Sequence, residues 1–510
     1  MRMSFIYTPR QQLQLLILIF VLLITLSSRA IAQEAEAYQA QINAEIEKLK
    51  AELASLKQQG EHRHVGGGAQ EDSGEARKTV VHSDGSVHLE EIDPEVARIL
   101  AYVGGMPVIT SPFSGIRTPF DGSHLITNFP KTRLDMNVLQ QRQAIEDFLI
   151  LNDIGRPDRS FVEISGDLEI TASIINPDNR TTTARVEFSE LEVDITAALN
   201  PWVTGLVSIL LDLRPPQDLL SISAPASIVD NSNLFMEIGF LTIGNLNEFP
   251  FFFTIGQTFV PFGRYINYFI NPAPTRVMAR TKARIVSLGY EQPGDGGFYG
   301  MVFGFESDTR SPGSNGIIGG TVAYVFEQGG DFSAEVGVGA ISNIADSVFM
   351  QRAAGFGTNI TTERLAHDVP ALNAYGRLNI GDFGFFAEWV GSTRAFAPQD
   401  MSFNGRGAQP QAWDTQAAYF FDLANRPSAI ALDFSGSSQA LAIGIPRYRF
   451  AATFNISLWR NTVQMLEVRR DMTYSAGTTA SGPILNGVDT SVARFGNSAT
   501  VVTFVMAAYY

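Results

Sequence analysis

The 510-residue chain has no cysteine. That excludes a disulfide framework, a thiolate metal site and a cysteine nucleophile. Histidine is scarce, at six residues, and four of these (His62, His64, His82, His88) lie in a polar stretch near the N-terminus. Beyond Phe161 only His367 remains, so a Ser-His-Asp hydrolase would depend on that single base. No Gly-rich phosphate loop and no HExxH occur. Enzymatic chemistry is therefore poorly supplied, and neither a cofactor nor a resident metal is indicated. Basic charge is also in deficit. The formal charge is −15, and it becomes −18 once Arg2, Arg10 and Arg29 are removed with the leader described below. Such an acidic chain does not suit a nucleic-acid partner. Long apolar runs are missing after residue 32 too, each being broken by glycine or a polar residue.

The N-terminus has the one apolar run there is. Arg2 and Arg10 precede Leu13–Leu26, and Ala30-Ile31-Ala32 has the small-x-small form of a cleavage site. The run is short for a membrane span and reads as a cleaved secretory signal over 1–32. In residues 33–59, Ala35, Gln39, Ile42, Ile46, Leu49, Leu53 and Leu56 follow a 4-3-4-3 spacing. This heptad seam predicts a periplasmic coiled coil that self-associates through 35–56, or else one amphipathic helix lying on another surface. Residues 60–93 read as a flexible linker. Residues 94–160, with a helix near Leu134–Leu151, are too few for a large independent core, and read as a plug or a periplasmic docking segment.

From Phe161 to Tyr510 the pattern changes to period two. In 447–458 the residues Arg447, Arg449, Ala451, Thr453, Asn455 and Ser457 alternate with Tyr448, Phe450, Ala452, Phe454, Ile456 and Leu458. A strand points successive side chains to opposite faces, so one face is small and polar while the other is apolar and aromatic. About sixteen such segments follow one another at a spacing of roughly 22 residues, joined by alternating short and long connectors. The fold class expected is all-β: a transmembrane antiparallel barrel of about 16 strands in the outer membrane, behind a helical periplasmic segment. Its partner is the lipid bilayer. An even strand number places both barrel ends on the periplasmic side.

The charged residues of the barrel suggest where solute would pass. Arg276, Arg280, Lys282 and Arg284 are all even-numbered, so an extended chain would put them on one face. A basic ladder in lipid costs about 2–4 kcal/mol per midplane residue, so it should face the lumen or rise above the membrane. Arg447 and Arg449 are further candidate anion contacts. Acids recur on alternating positions in Glu163, Asp167 and Glu169, in Glu192 and Asp194, and in Glu467 and Asp471 around Arg469. Facing ladders of opposite sign would set a transverse field across a narrow pore. Alternatively, these charges pair across the lumen and support the wall.

Longer motifs carry a resemblance. The runs TIGNLNEFPFFFTIGQTFVPFGRY (242–265), RVMARTKARIVSLGY (276–290), ISNIADSVFMQ (341–351) and STRAFAPQDMSFNGRGAQPQAW (392–413) resemble the LbtU-type siderophore porins. SPFSGIRTPFDGSHLITNFP (111–130), NVLQQRQ (137–143) and LWRNTVQMLEVRRDMTYS (458–475) are similar to other parts of that family, so the resemblance covers about residues 105–510. It implies an outer-membrane barrel for TonB-independent passage of an iron-loaded polycarboxylate siderophore. It brings no ligand residues with it. Two alternatives stay open: a general or anion-selective porin for small anionic solutes, and a structural or adhesive barrel tethered by its coiled coil.

Overall fold

Alternating side chains and short turns build one closed wall. The computed structural model describes residues 100–103, 106–110, 125, 131–151, 160–178, 181–212, 233–292, 296–311, 314–328, 332–348, 350, 365–459, 461–481, 490–491 and 498–509. The signal (1–32), heptad helix (33–59) and linker (60–93) expected from the sequence lie outside these residues.

Sixteen long strands form the wall: β1 (Phe161–Pro177), β2 (Thr183–Asn200), β3 (Val203–Asp212), β4 (Asn233–Ile243), β5 (Phe251–Phe259), β6 (Lys282–Glu291), β7 (Gly297–Ser311), β8 (Ser314–Gln328), β9 (Phe332–Ile341), β10 (Ala371–Ile380), β11 (Phe383–Ser392), β12 (Gln411–Leu423), β13 (Arg426–Ser438), β14 (Tyr448–Ile456), β15 (Thr462–Met472) and β16 (Ala499–Tyr509). Each is antiparallel to the next, and β16 pairs with β1 from Ala499↔Pro177 to Tyr509↔Asp167. The wall therefore has no free edge, which is the condition for strands to cross lipid with every ladder hydrogen bond made. All sixteen segments expected from the alternation are present.

The outside is apolar. Ile318 is 70% exposed, Leu432 61% and Val302 60%, whereas the inward-facing Asp414 and Thr254 are at 0%. A water-soluble protein would not leave such a band uncovered, but a lipid-facing wall requires it. Aromatic pairs gather toward both ends of the band. Phe251–Tyr290 and Phe383–Tyr419 lie at the short-turn end, with Trp413–Tyr448 and Phe434–Tyr448 toward the other. They occupy the depths at which amphipathic rings meet headgroups.

The two ends differ by turn chemistry. At one end the hairpins are tight, as at Ala424–Asn425, where both residues take positive φ (52° and 59°) and form the turn that suits the strand twist. At the other end lie long connections, including 260–281, 342–370, 393–410 and 473–498. Three features were not legible from alternation. A hairpin of Leu100–Val103 and Met106–Thr110 docks parallel to the start of β1. Short strands at 402–403, 406–407, 479–481 and 490–491 make a small sheet in the long connections. Residues 260–281 fold into the barrel rather than away from it.

Candidate pore constriction

The inward face of β1 and β2 is acidic by register. Asp167 lies opposite Glu192, Glu169 opposite Glu190, and Ser165 opposite Asp194. Glu163, Asp167, Glu192 and Asp194 are each at most 3% exposed. Carboxylate oxygens of Asp167, Glu190 and Glu192 come within 4.8 Å of one another. Like charges this close are costly without compensation. Lys131 supplies it: its Nζ lies 2.8 Å from both Glu192 oxygens, 2.7 Å from Glu237 Oε2 on β4 and 3.7 Å from Glu190. Burial works to lower the lysine's pKa, but Glu192, Glu237, Glu190 and Asp194 outweigh it and hold the ammonium well above its usual range.

Lys131 begins a segment that crosses the lumen. Two residues on, Arg133 makes an ion pair of 2.6 Å with Glu335 on β9, donates to the Tyr375 hydroxyl on β10 and lies 4.3 Å from the centre of the Tyr299 ring on β7. The helix α1 (Leu134–Leu151) then runs along the wall. Thr254 of β5 donates to Asp135 at 2.9 Å, Gln141 donates to Glu163 of β1 at 2.6 Å and Arg142 donates to Thr204 of β3 at 3.0 Å. Leu134 and Val138 pack among Leu206, Ile238, Phe240 and Phe259. The helix expected at 134–151 thus lies inside the barrel at its N-terminal half. On the other wall, Leu125 packs with Met465 and Val505, and its carbonyl accepts from Asn455 of β14 at 2.8 Å.

The inward connection 260–281 closes the opposite side. Gly263 at φ +88° turns the chain in, where a Cβ would meet the Tyr265 ring at 2.3 Å. Glu388 of β11 accepts the Arg264 N–H at 2.7 Å and the Thr275 hydroxyl at 2.9 Å. Gln416 of β12 accepts the Tyr268 N–H at 2.9 Å, and Arg449 of β14 donates to the Pro272 carbonyl at 2.8 Å. A buried backbone must find such partners, and the inward polar residues of β11 to β15 provide them. The connection carries a short helix, α2 (Pro274–Ala279), whose first residue is a proline.

Helix α2 corrects the extended ladder expected at 276–284. A helical turn, not a strand, carries Arg276, and Arg280 ends it. Both are in the lumen. Burial, and then the neighbouring Arg280, push the Arg276 guanidinium down, while Glu190, Glu237 and Glu169 pull it the other way. The Arg280 guanidinium lies over the Phe259 ring at 4.4 Å, and the Lys282 ammonium is 5.4 Å from Phe235. Lys282 opens β6 beside Phe259 and within electrostatic reach of Glu237, whereas from Arg284 onward the even positions of β6 face outward, so Arg284 is exposed on the outer wall beside Val286 and Leu288, near the long-connection end. The four residues do not share a face, because the helix breaks the period of two.

The remaining predicted residues fall into two sets. Arg447 precedes β14, donates to the Ser437 carbonyl at 2.6 Å and lies 5.1 Å from the Tyr448 ring and 5.9 Å from Trp413. Arg449, Arg469, Asp471 and Glu467 all face inward and form a connected network. Arg449 meets Asp471 at 2.8 Å, Arg469 meets Asp471 at 3.1 Å, and Glu467 is 4.0 Å from Arg469. Sequence reasoning missed Lys131, Arg133, Glu237, Glu335 and Glu388. A signal for two of them existed: Glu335 and Glu388 are lone acids on inward faces of small or apolar residues, which demands a cation or a set of donors from elsewhere.

A closed sixteen-strand wall, apolar outside and charged within, with a connection folded into its lumen, defines an outer-membrane β-barrel of the porin kind. No family model matches the chain. A UPF0422 protein of Legionella pneumophila (strain Lens) is 35% identical over 425 residues, covering 81% of this chain and 78% of that protein. The UPF0422 protein of Coxiella burnetii (strain RSA 493 / Nine Mile phase I) is 34% identical over 398 residues, covering 77% and 82%. The chain belongs to the UPF0422 family. Among solved structures, the outer membrane channel DcaP of Acinetobacter baumannii covers 69% of this chain and 98% of its own, at 14% identity and a TM-score of 0.43. The anion-selective porin from Comamonas acidovorans covers 69% and 100%, at 13% identity and a TM-score of 0.42. The barrel assignment rests on the sheet closure itself. Neither relative is named for a siderophore.

Proposed function

We propose that this protein is an outer-membrane channel that passes anionic solutes, with an iron-loaded polycarboxylate siderophore as the favoured cargo. The observation that carries the reading is that the inward connection brings Arg276 within electrostatic reach of Glu190, Glu237 and Glu169 on the acidic wall, and Arg280 within reach of Glu237. Opposed charges across a narrow lumen set up a transverse field, which orients a charged solute and selects by sign. Guanidinium groups bind carboxylates through paired, planar hydrogen bonds, so the basic side is the one a polycarboxylate would follow. The Arg449–Asp471–Arg469–Glu467 network is already self-compensated and serves in this reading as wall and anchor. The siderophore itself is suggested by the resemblance of the motifs at 242–265 and 276–290.

Two measurements test this. In planar bilayers under a salt gradient, Arg276→Gln with Arg280→Gln should shift the reversal potential toward cation preference. An unchanged potential would remove these residues from the path. A deletion strain starved of iron should lose ferrisiderophore-dependent growth and regain it on complementation. Unimpaired growth there, with conductance intact, would leave a general anion channel.

A further inference from the structure

We propose that Leu125 and residues 131–151 are a displaceable plug, and that Lys131 and Arg133 are the pins that hold it in the lumen. The inference rests on the channel reading above and adds a moving part to it. Three observations carry it.

The wall does not need this segment. Every strand from β1 to β16 is paired with both neighbours, and β16 closes on β1, so removing residues 131–151 breaks no ladder hydrogen bond. What they occupy is the passage. Their side chains reach Glu163 on β1, Glu192 on β2, Thr204 on β3, Glu237 on β4, Thr254 on β5 and Glu335 on β9, while Leu125 reaches β14. With 260–281 anchored on β11 to β15, a solute crossing the barrel meets this segment.

The seat is also made of separable contacts. Its apolar part is two small patches on different faces of the helix: Leu134 and Val138 in the cluster with Leu206, Ile238 and Phe259, and Met136 and Leu139 in the cluster around Phe252. The rest is polar, and the strongest parts are two cations paired to different walls, Lys131 to Glu192 and Glu237, and Arg133 to Glu335. Paired charges that face a lumen can exchange their partner for water and ions when they part, which a packed apolar core cannot do. The two pins are two residues apart in sequence, so movement of one short stretch releases both.

The cysteine-free chain permits a direct test with the full-length protein. Val138→Cys with Leu206→Cys joins α1 to β3 inside one apolar cluster. Oxidised protein in planar bilayers should conduct at least about tenfold less than the same protein after reduction. Independently, Lys131→Gln with Arg133→Gln should raise the open fraction by about tenfold or more, since each buried pin favours the seated plug. Equal conductance of oxidised and reduced protein, with the disulfide verified, overturns the plug and leaves the channel reading standing. So does a Lys131→Gln, Arg133→Gln protein that behaves as wild type, which keeps the test decisive where the cysteine pair does not assemble. Silence of every form in correctly folded barrels overturns plug and channel together.

Discussion

Glu467 on β15 holds Asn271 of the inward connection by both carboxylate oxygens. Oε2 accepts the backbone N–H groups of Ile270 at 2.8 Å and Asn271 at 3.1 Å, while Oε1 accepts the Asn271 side-chain amide at 2.8 Å. One wall residue thus fixes the middle of a connection that leaves β5 and returns to β6. Hydrogen bonds to a charged group are worth about 1.5–3 kcal/mol each, and orphaned buried donors add to the loss. Glu467→Ala is expected to destabilise the folded barrel by about 2–4 kcal/mol and to give noisier, larger conductance. Denaturant unfolding and single-channel recording check the two parts.

The Arg449–Asp471 pair predicts an asymmetry between single and double substitutions. Both side chains are almost fully buried. Asp471→Asn leaves the Arg449 and Arg469 charges with less compensation and should cost about 3–5 kcal/mol, whereas Arg449→Met with Asp471→Leu should cost clearly less. Urea unfolding of the three proteins in the same micelles measures the difference. A double variant as unstable as the single one would contradict the argument.

Asp135 gives the seat of α1 a pH dependence. Burial raises its carboxyl from 3.8 to about 6, against hydrogen bonds from Thr254 and the Met136 backbone and the charge of Arg133. Because the folded value lies above the unfolded one, the native state keeps a proton that the unfolded state loses. This contribution is full below about pH 4 and declines as the pH rises through 6, by at most about 3 kcal/mol. The stability difference between wild type and Asp135→Asn should therefore change between about pH 4 and 7 and be flat above that. Amide exchange in 134–142 across this window reads the same effect locally.

Depth in the band predicts unequal costs for charge on the outer wall. Leu432 is 61% exposed on the middle of β13. Leu432→Arg should cost about 2–4 kcal/mol in a bilayer, the depth-dependent penalty for a basic residue facing lipid. Arg284→Leu, near the end of the band, should change stability by only about 0–1 kcal/mol. Folding titrations into vesicles distinguish them. Equal costs would mean that the band does not sit at this depth.

Most of the wall was legible because a strand's period is local. The residues of 447–458 show it plainly: Arg449, Ala451, Thr453 and Asn455 face in, and Phe450 and Ala452 face out, as the alternation requires. The inward placement of Glu163, Asp167 and Glu467 follows from the same rule. The ladder at 276–284 failed because Pro274 starts a helical turn within a connection, and even spacing carries no facial meaning once the backbone stops being extended. Lys131 and Arg133 were overlooked because their partners, Glu192 and Glu335, lie 61 and 202 residues away on different walls.

The sequence by itself determined the strands, their inner and outer faces and their number, because alternation, turn residues and burial in lipid all act over a few neighbouring residues. Only the tertiary structure decided what fills the barrel. Which acid meets Lys131, where Arg276 points and whether 131–151 lies inside or beneath the wall depend on closure of the sheet, which brings β1, β9 and β15 around one lumen. Electrostatic pairing in that enclosed space acts across distances in the chain that no local pattern records.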